Sequence, residues 1–413
     1  MKRKFGLKTA AVILAAVVVI AFAAVLIAFR NTNIPKLYFQ GDISEMLEKS
    51  DVRDIAVRYV NGDQKVKGFA ELKVQGTSSL CYDKKNYTVK FYQDEAHEKK
   101  LKLDAGWGEQ SKYCLKANWI DRTHARNVVT AKLVTQIQRK YGVLTQAPRN
   151  GAVDGFPVEV YSNGKFLGLY TFNIPKDAWQ FGMDEKNPNH IVVCGESWEP
   201  SALFRETSVW DSWAVEVGEQ SDETLEKLNR LFKFVIYSSD EEFRSRFEEY
   251  IDLDAALNYY ILANFAYMPD NLGKNMLLAT YDGQKWYPSL YDLDTTWGTN
   301  DSGRALLDYE NGPLDMSSNL LFERMEHCFA QELAQRYFEL RQDVLTKEHI
   351  MSEFMDFQKQ IPRVVFFKEG LRWGNGVIRQ YSDLPGYEYG QIEDYLDTVT
   401  DGLDLKYQQL ADK

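Results

Sequence analysis

Acidic and amide side chains lie close together in one short stretch of the chain, residues 268–298. Asp270 stands in a polar loop after an apolar run, Asn275 follows five positions later, and Asp292 and Asp294 come after two short apolar segments. Carboxylate and amide oxygens can hold Mg²⁺ on nucleotide phosphates, while a further carboxylate orients the attacking hydroxyl. The residue types therefore indicate metal-dependent phosphoryl transfer.

The elements around these residues should bring them together. The runs MLLATY and KWYPSLY flank Asp282-Gly283, which predicts a β-hairpin whose open end carries Asn275 and Asp292. Each acid alone is better explained as a helix cap, a turn residue or a solvated strand end. Together, the convergence favours a metal site, and strand alternation places Asp292 and Asp294 on the same face.

The rest of the chain predicts an α+β fold. From residue 51 to about 172, alternating apolar runs and two Asn-Gly turns predict a sheet, interrupted by one helix that begins near Asp121 and stops at Gly142. From about Ala178 onward the apolar spacing is mainly helical, with a capping box at Ser239 and Glu242. The region 184–220 predicts an irregular insertion.

Composition and the N-terminus narrow the class of protein. A net charge of -11 argues against nucleic-acid binding, and four dispersed cysteines argue against a zinc site. Thr9 to Phe29 is an uncharged apolar run, long enough for a bilayer core of about 30 Å. With basic residues before it, this run predicts a single-pass membrane anchor and an extracytoplasmic remainder.

The sequence resembles the CotH (spore-coat protein H) kinase family. Four segments in order carry the likeness: Gly76 to Phe91 (GTSSLCYDKKNYTVKF), Leu115 to Val129 (LKANWIDRTHARNVV), Pro157 to Tyr170 (PVEVYSNGKFLGLY), and Asp270 to Gly298, which ends in YDLDTTWG. The Asp-to-Asn step of five and the following hairpin also match the protein-kinase catalytic loop, although HRD and DFG motifs are absent.

The resemblance implies an atypical protein-kinase-like fold with two lobes. We expect a cytoplasmic tail at 1–8, the anchor at 9–29, a β-rich N-lobe with one helix at 30–177 and a mainly helical C-lobe at 178–413. It also implies transfer of the ATP γ-phosphate to Ser or Thr of a surface or coat protein, with Mg²⁺ or Mn²⁺.

The family's roles carry over to the acidic stretch. Asp270 corresponds to the catalytic aspartate, and Asn275 with Asp292 correspond to the metal ligands. Because the DLD step leaves the alignment open by two residues, Asp294 is an alternative ligand.

The phosphate-binding residues are less well defined. Lys85 and Lys90 flank a strand and should face opposite sides, so at most one enters the cleft. Ser78 and Ser79 follow a glycine in a candidate phosphate loop. Arg126 could bind phosphate or a carboxylate, or tie the helix to the sheet. Many relatives carry a Glu shortly after the strand that ends at Tyr170; this chain has none there, which leaves the partner of the ATP lysine open.

Two other functions are compatible with the sequence. The chain could be a non-catalytic surface or coat protein that binds a partner, or a metal-dependent phosphoester hydrolase, although grouped histidines are absent. For a kinase, the net charge of -11 favours a basic, serine-containing acceptor.

Overall fold

The computed structural model describes residues 12–14, 17, 32–304, 312–374 and 386–413, the first two residues of the last range by backbone alone. The chain is a mixed α+β protein, as the sequence predicts, with two larger β-sheets and a mainly helical second half.

A closed barrel occupies the first half. Seven strands form the barrel, and β5 with β6 forms a small separate hairpin. In chain order the strands are β1 (Lys36–Phe39), β2 (Val52–Asn61), β3 (Gln64–Gln75), β4 (Asn86–Tyr92), β5 (Leu103–Asp104), β6 (Glu109–Gln110), β7 (Lys112–Lys116), β8 (Gly155–Ser162) and β9 (Lys165–Asn173). All except β5 and β6 join in the order β1-β2-β3-β4-β7-β9-β8. Both predicted Asn-Gly hairpins are present, as β2–β3 and β8–β9.

The barrel corrects the expectation of a kinase-like β-rich lobe. The sequence analysis placed no strand before residue 51, yet β1 pairs antiparallel with β2 and parallel with β8. This double pairing joins the two outer strands, so that the sheet closes on itself and has no free edge.

Helices make up most of the second half. They are α1 (Arg126–Lys140), α2 (Asp222–Tyr237), α3 (Asp240–Tyr250), α4 (Leu253–Phe265), α5 (Leu320–Cys328), α6 (Ala330–Leu340), α7 (Lys347–Lys359), α8 (Arg363–Trp373) and α9 (Gly386–Ala411). The capping box of Ser239 and Glu242 is confirmed at the start of α3. Helix α1 begins at Arg126 rather than near Asp121, because His124 has a left-handed backbone (φ 57°). The Asp121 carboxylate still accepts the Arg126 amide at 2.8 Å.

A second sheet of four strands is separate from the barrel. Its strands are β10 (Ile191–Gly195), β11 (Trp213–Val217), β12 (Met276–Thr280) and β13 (Trp286–Leu290), in the order β11-β10-β12-β13. The region expected to be an irregular insertion thus contributes two of these strands. The predicted hairpin is confirmed as β12–β13, with Met276 opposite Leu290.

The predicted membrane anchor lies almost entirely outside the described residues. Among the residues that are described, no helix is long and apolar enough to cross a membrane. The apolar helix α4 has only 13 residues, whereas a span needs about 20, and the longer α9 carries several charged residues. The prediction of a single-pass membrane protein is therefore wrong on this finding.

Candidate active site

A polar cleft of about 890 Å³ lies between the barrel and the open end of the β12–β13 hairpin. Six of the residues singled out in the sequence line it: Ser78, Ser79, Asp270, Asn275, Asp292 and Asp294. The structure therefore brings the acidic stretch and the serine loop to one place.

Asp270 begins a one-turn 3-10 helix, Asp270–Leu272, whose position is fixed by the elements around it. The Asn271 amide donates to the carbonyl of Tyr291 at 2.9 Å, and the Tyr259 hydroxyl donates to the carbonyl of Asn271 at 2.6 Å. Burial raises the pKa of the Asp270 carboxyl, the positive charge of Lys274 opposes this, and nearby acids add to it. A carboxylate whose pKa is raised in this way is better suited to accept a proton.

Asn275 and Asp292 flank the open end of the hairpin, immediately before β12 and two residues after β13. Both have left-handed backbones, with φ of 63° and 58°. Asn and Asp tolerate this conformation better than other side chains, and such strain concentrates at functional sites. The Asn275 amide N–H also donates to the carbonyl of Gly195 at 2.8 Å, which anchors this end of the loop to β10.

Asp294 lies close to a second carboxylate. Burial first, and then the charges of Asp292 and Asp121, raise the pKa of Asp294 to about 8 against the opposing positive charge of Lys116. A cation bound between Asp292 and Asp294 would relieve this repulsion.

The donor atoms fit Mg²⁺ or Mn²⁺. Three carboxylates and one amide supply hard oxygen ligands, the type that these ions prefer. Within the described residues, the groups of three ligands packed within 4.8 Å lie elsewhere, so the acids do not form a closed cage. This openness suits an ion that completes its shell with waters and phosphate oxygens.

Helix α1 holds the segment that carries Asp292 and Asp294. The Leu293 amide donates to Asn127 Oδ1 at 2.7 Å, and the indole N–H of Trp297 donates to Thr130 Oγ1 at 2.8 Å. The Arg126 Nε–H donates to the carbonyl of Thr296 at 3.0 Å.

Arg126 itself lies away from the cleft lining. Its guanidinium is fully buried and pairs with Asp121 at 2.7 Å and with Glu388 of α9 at 3.2 Å. The sequence left open binding of phosphate or a carboxylate, or a tie between the helix and the sheet; the partners of Arg126 are two carboxylates and the carbonyl of Thr296.

The two lysines singled out in the sequence also lie outside the cleft lining. Lys85 precedes β4, and its ammonium donates to the carbonyls of Leu80 and Tyr82. Lys90 lies farther along β4 and pairs with Glu71 across β3 and β4 at 2.7 Å.

A different lysine, Lys116 of β7, faces the acids. Its Nζ lies 3.7 Å from Asp292 Oδ1 and donates to the Tyr291 hydroxyl at 3.2 Å. Burial lowers the pKa of Lys116, but Tyr291 and Asp292 favour its charged form more strongly, so the pKa lies above its ordinary value. Lys116 is the only lysine in the segment Leu115 to Val129, which was the available sequence signal.

A second lysine that sequence reasoning missed, Lys84, forms a buried ion pair. Its Nζ lies 2.6 Å from Glu369 Oε1 of α8, and neither side chain is exposed. Lys84 also donates to the carbonyl of Ala117 at 2.9 Å, and Glu369 accepts the Leu169 amide at 2.6 Å. This glutamate is 285 positions away in the sequence, so no local pattern could reveal the pairing.

Ser78 and Ser79 form a short 3-10 helix, Ser78–Cys81, directly after the turn at Gly76 and Thr77. Gly76 has φ of 117°, and an added Cβ would lie 2.0 Å from Ser79 Oγ. Only glycine fits this turn without a shift of the loop. The turn places both serines on the cleft wall.

Comparison with protein families gives one match: the family model of CotH kinase protein covers residues 72–375. The chain belongs to this family. The matched region runs from within β3 to the end of α8, and so contains the acidic stretch, Lys116, Lys84 and Glu369. Comparison with curated proteins finds no match.

Proposed function

We propose that the protein is an ATP-dependent phosphotransferase that transfers the γ-phosphate to Ser or Thr of a protein acceptor. The observation that carries the proposal is the convergence of Asp270, Asn275, Asp292, Asp294 and Lys116 in one cleft. Membership in the CotH kinase family supports it.

Each group has a role in this proposal. Asn275 and Asp292, with Asp294 as the alternative or additional ligand, hold Mg²⁺ or Mn²⁺. A bound ion would supply positive charge that neutralises the phosphate oxygens. Lys116 supplies a fixed positive charge for the phosphates, and the Ser78–Ser79 loop covers them from the barrel side.

The halves of the chain would then act as two lobes around the nucleotide. Residues 30–177, with the barrel, take the part of the β-rich lobe, and residues 178–413 take the part of the helical lobe. Lys84 and Glu369 supply the ion pair that typical kinases form between a strand lysine and a helix glutamate. Here the side chain of the lysine is fully buried in this pair.

Asp270 acts on the acceptor. Its carboxylate orients the acceptor hydroxyl and accepts its proton as the oxygen attacks the γ-phosphorus and the bond from the γ-phosphorus to ADP breaks. A basic, serine-containing acceptor fits the net charge of -11 by long-range attraction, which predicts faster phosphorylation at low ionic strength.

The test is incubation of the purified protein with γ-labelled ATP, Mg²⁺ or Mn²⁺, and a basic serine-containing protein. We expect incorporation of label that Asp270→Asn abolishes without loss of nucleotide binding. Asp282→Asn is the matched control, because it makes the same chemical change in the hairpin turn, outside the cleft.

Nucleotide binding separates the alternatives. Thermal stabilisation by Mg·ATP that Asp292→Ala removes would support the site even before an acceptor is found. Absence of both transfer and stabilisation would refute the proposal and favour the non-catalytic, partner-binding function.

A further inference from the structure

Tyr291, the residue immediately before Asp292, lies between two lysines. The ammonium of Lys116 is 5.1 Å from the centre of its ring, and that of Lys176 is 4.5 Å from it. Lys116 comes from the barrel strand β7, whereas Lys176 lies in the linker that follows β9. The tyrosine ring, which is 8% exposed, therefore meets both the barrel and the linker beside the candidate metal site.

The position of the ring is fixed on several sides. Lys176 is held by Glu216 of β11 at 2.6 Å, so its ammonium stays over the ring. The backbone carbonyl of Tyr291 accepts the Asn271 amide at 2.9 Å. Cation–π contacts are stronger when the ammonium group is desolvated. The Tyr291 hydroxyl is thus a fixed hydrogen-bonding group within the cleft.

The hydroxyl shares the ammonium of Lys116 with the candidate metal ligand. Lys116 Nζ is 3.2 Å from the Tyr291 oxygen and 3.7 Å from Asp292 Oδ1. A distance of 3.7 Å allows charge attraction but exceeds a hydrogen bond, whereas a direct ammonium–carboxylate bond has a length of about 2.7–2.9 Å. In the observed arrangement, Asp292 lies close to Lys116 but does not accept a hydrogen bond from it.

We propose that Tyr291 is a positioning residue for the phosphotransfer site, an inference that rests on the proposed function. Its hydroxyl holds the Lys116 ammonium between Asp292 and the space for the nucleotide phosphates. Without this hydroxyl, Lys116 closes onto Asp292, which occupies a carboxylate oxygen needed by the metal and withdraws the positive charge from the phosphates.

The test is Tyr291→Phe, which keeps the ring and both cation–π contacts but removes the hydroxyl. We expect the Kd for Mn·ATP, measured by isothermal titration calorimetry, to rise about tenfold, equivalent to about 1.4 kcal/mol. In the activity assay, the rise should appear mainly in KM for Mn·ATP rather than in kcat. Tyr287→Phe, the same change on β13 outside the cleft lining, should leave the Kd unaltered.

A second background distinguishes positioning from general packing. In a Lys116→Met protein, Tyr291→Phe should cause no further loss of Mn·ATP affinity, because the group that the hydroxyl positions is absent. An equal loss in both backgrounds, or an unchanged Kd in Tyr291→Phe, would overturn the inference and leave the proposed function standing. Failure of the wild-type protein to bind Mn·ATP would instead overturn both.

Discussion

The buried ion pair between Lys84 and Glu369 provides a quantitative test of how α8 supports the cleft. The substitution Glu369→Gln keeps the shape of the side chain and its capacity to accept the Leu169 amide, but removes the negative charge. Lys84 is then left in a fully buried site with only the carbonyls of Ala117 and Leu169 as hydrogen-bond acceptors. Burial already acts against both charges, lowering the pKa of Lys84 and raising that of Glu369, and their attraction offsets this.

Removing one partner of such a pair costs about 3–5 kcal/mol, because the remaining charge is buried without compensation. An upper bound follows from proton release by Lys84. Neutralising a lysine with the ordinary pKa of 10.5 at pH 7 costs about 5 kcal/mol at 1.36 kcal/mol per pH unit. We therefore expect Glu369→Gln to lower the free energy of unfolding by about 3–5 kcal/mol. The double variant Lys84→Met/Glu369→Gln, which buries no net charge, should be at least about 2 kcal/mol more stable than the sum of the single losses predicts.

The assay is urea unfolding at pH 7 with linear extrapolation, applied to both single variants and to the double variant. Asp356→Asn, which breaks an exposed helical pair with Lys359, is the surface control and should leave the unfolding midpoint unchanged. Additive losses in the double variant would show that the two side chains do not stabilise each other, and the reasoning would be refuted. So would a loss in Glu369→Gln no larger than that of the control.

Three further predictions concern the cleft and its surroundings. Lys116→Met should raise the Kd for Mg·ATP, measured by calorimetry, at least about tenfold, which is the loss expected for one charged contact to phosphate. Lys90→Met should leave this Kd unchanged, and equal effects of the two substitutions would show that another lysine binds the phosphates. Gly76→Ala should lower the unfolding free energy by about 1–3 kcal/mol in urea titrations, because its φ of 117° strains any other residue, and unchanged stability would contradict this. Burial and the charge of Lys84 lower the pKa of His124 below 6.5, so the unfolded chain takes up a proton there that the folded chain does not, and the contribution of His124 to stability should fall by about 1.4 kcal/mol per unit as the pH drops below 6.5. In urea unfolding from pH 7 to 5, the stability difference between the wild type and His124→Asn should change by this slope, whereas His97→Asn, which has a similar left-handed backbone, should follow the wild type.

The parts of the site that depend on residues close together in the sequence were predictable from it. The Asp282-Gly283 turn sets the register of β12 and β13, and this register alone places Asn275 and Asp292 at one edge. The α+β class followed from the change in apolar spacing between the two halves. Family membership was likewise accessible, since its motifs are short and lie in order along the chain.

The cationic side of the cleft was not predictable in the same way. Strand alternation correctly separates the faces of β4, but it cannot tell which face meets the acids. Lys85 precedes β4 and turns back to local carbonyls, and Lys116 enters the cleft because β7 lies between β4 and β9 in the barrel. Barrel closure depends on β1, a four-residue strand whose parallel partner β8 lies more than 100 residues away. Such pairings are set by tertiary packing, which outweighs local preference.

The four residues of the acidic stretch and Lys116 come from different halves of the chain, and this division has a physical consequence. Asp270, Asn275, Asp292 and Asp294 lie in one segment of the second half, whereas Lys116 belongs to the barrel. Separated, the acids would repel one another, and the lysine would lose the partners that favour its charged form. Helix α1 joins the two sets, because it follows β7 in the chain and binds the Asp292–Trp297 segment through Asn127, Thr130 and Arg126. Substitutions on α1 should therefore weaken metal and nucleotide binding together, including those of Thr130 and Arg126, which lie outside the cleft lining.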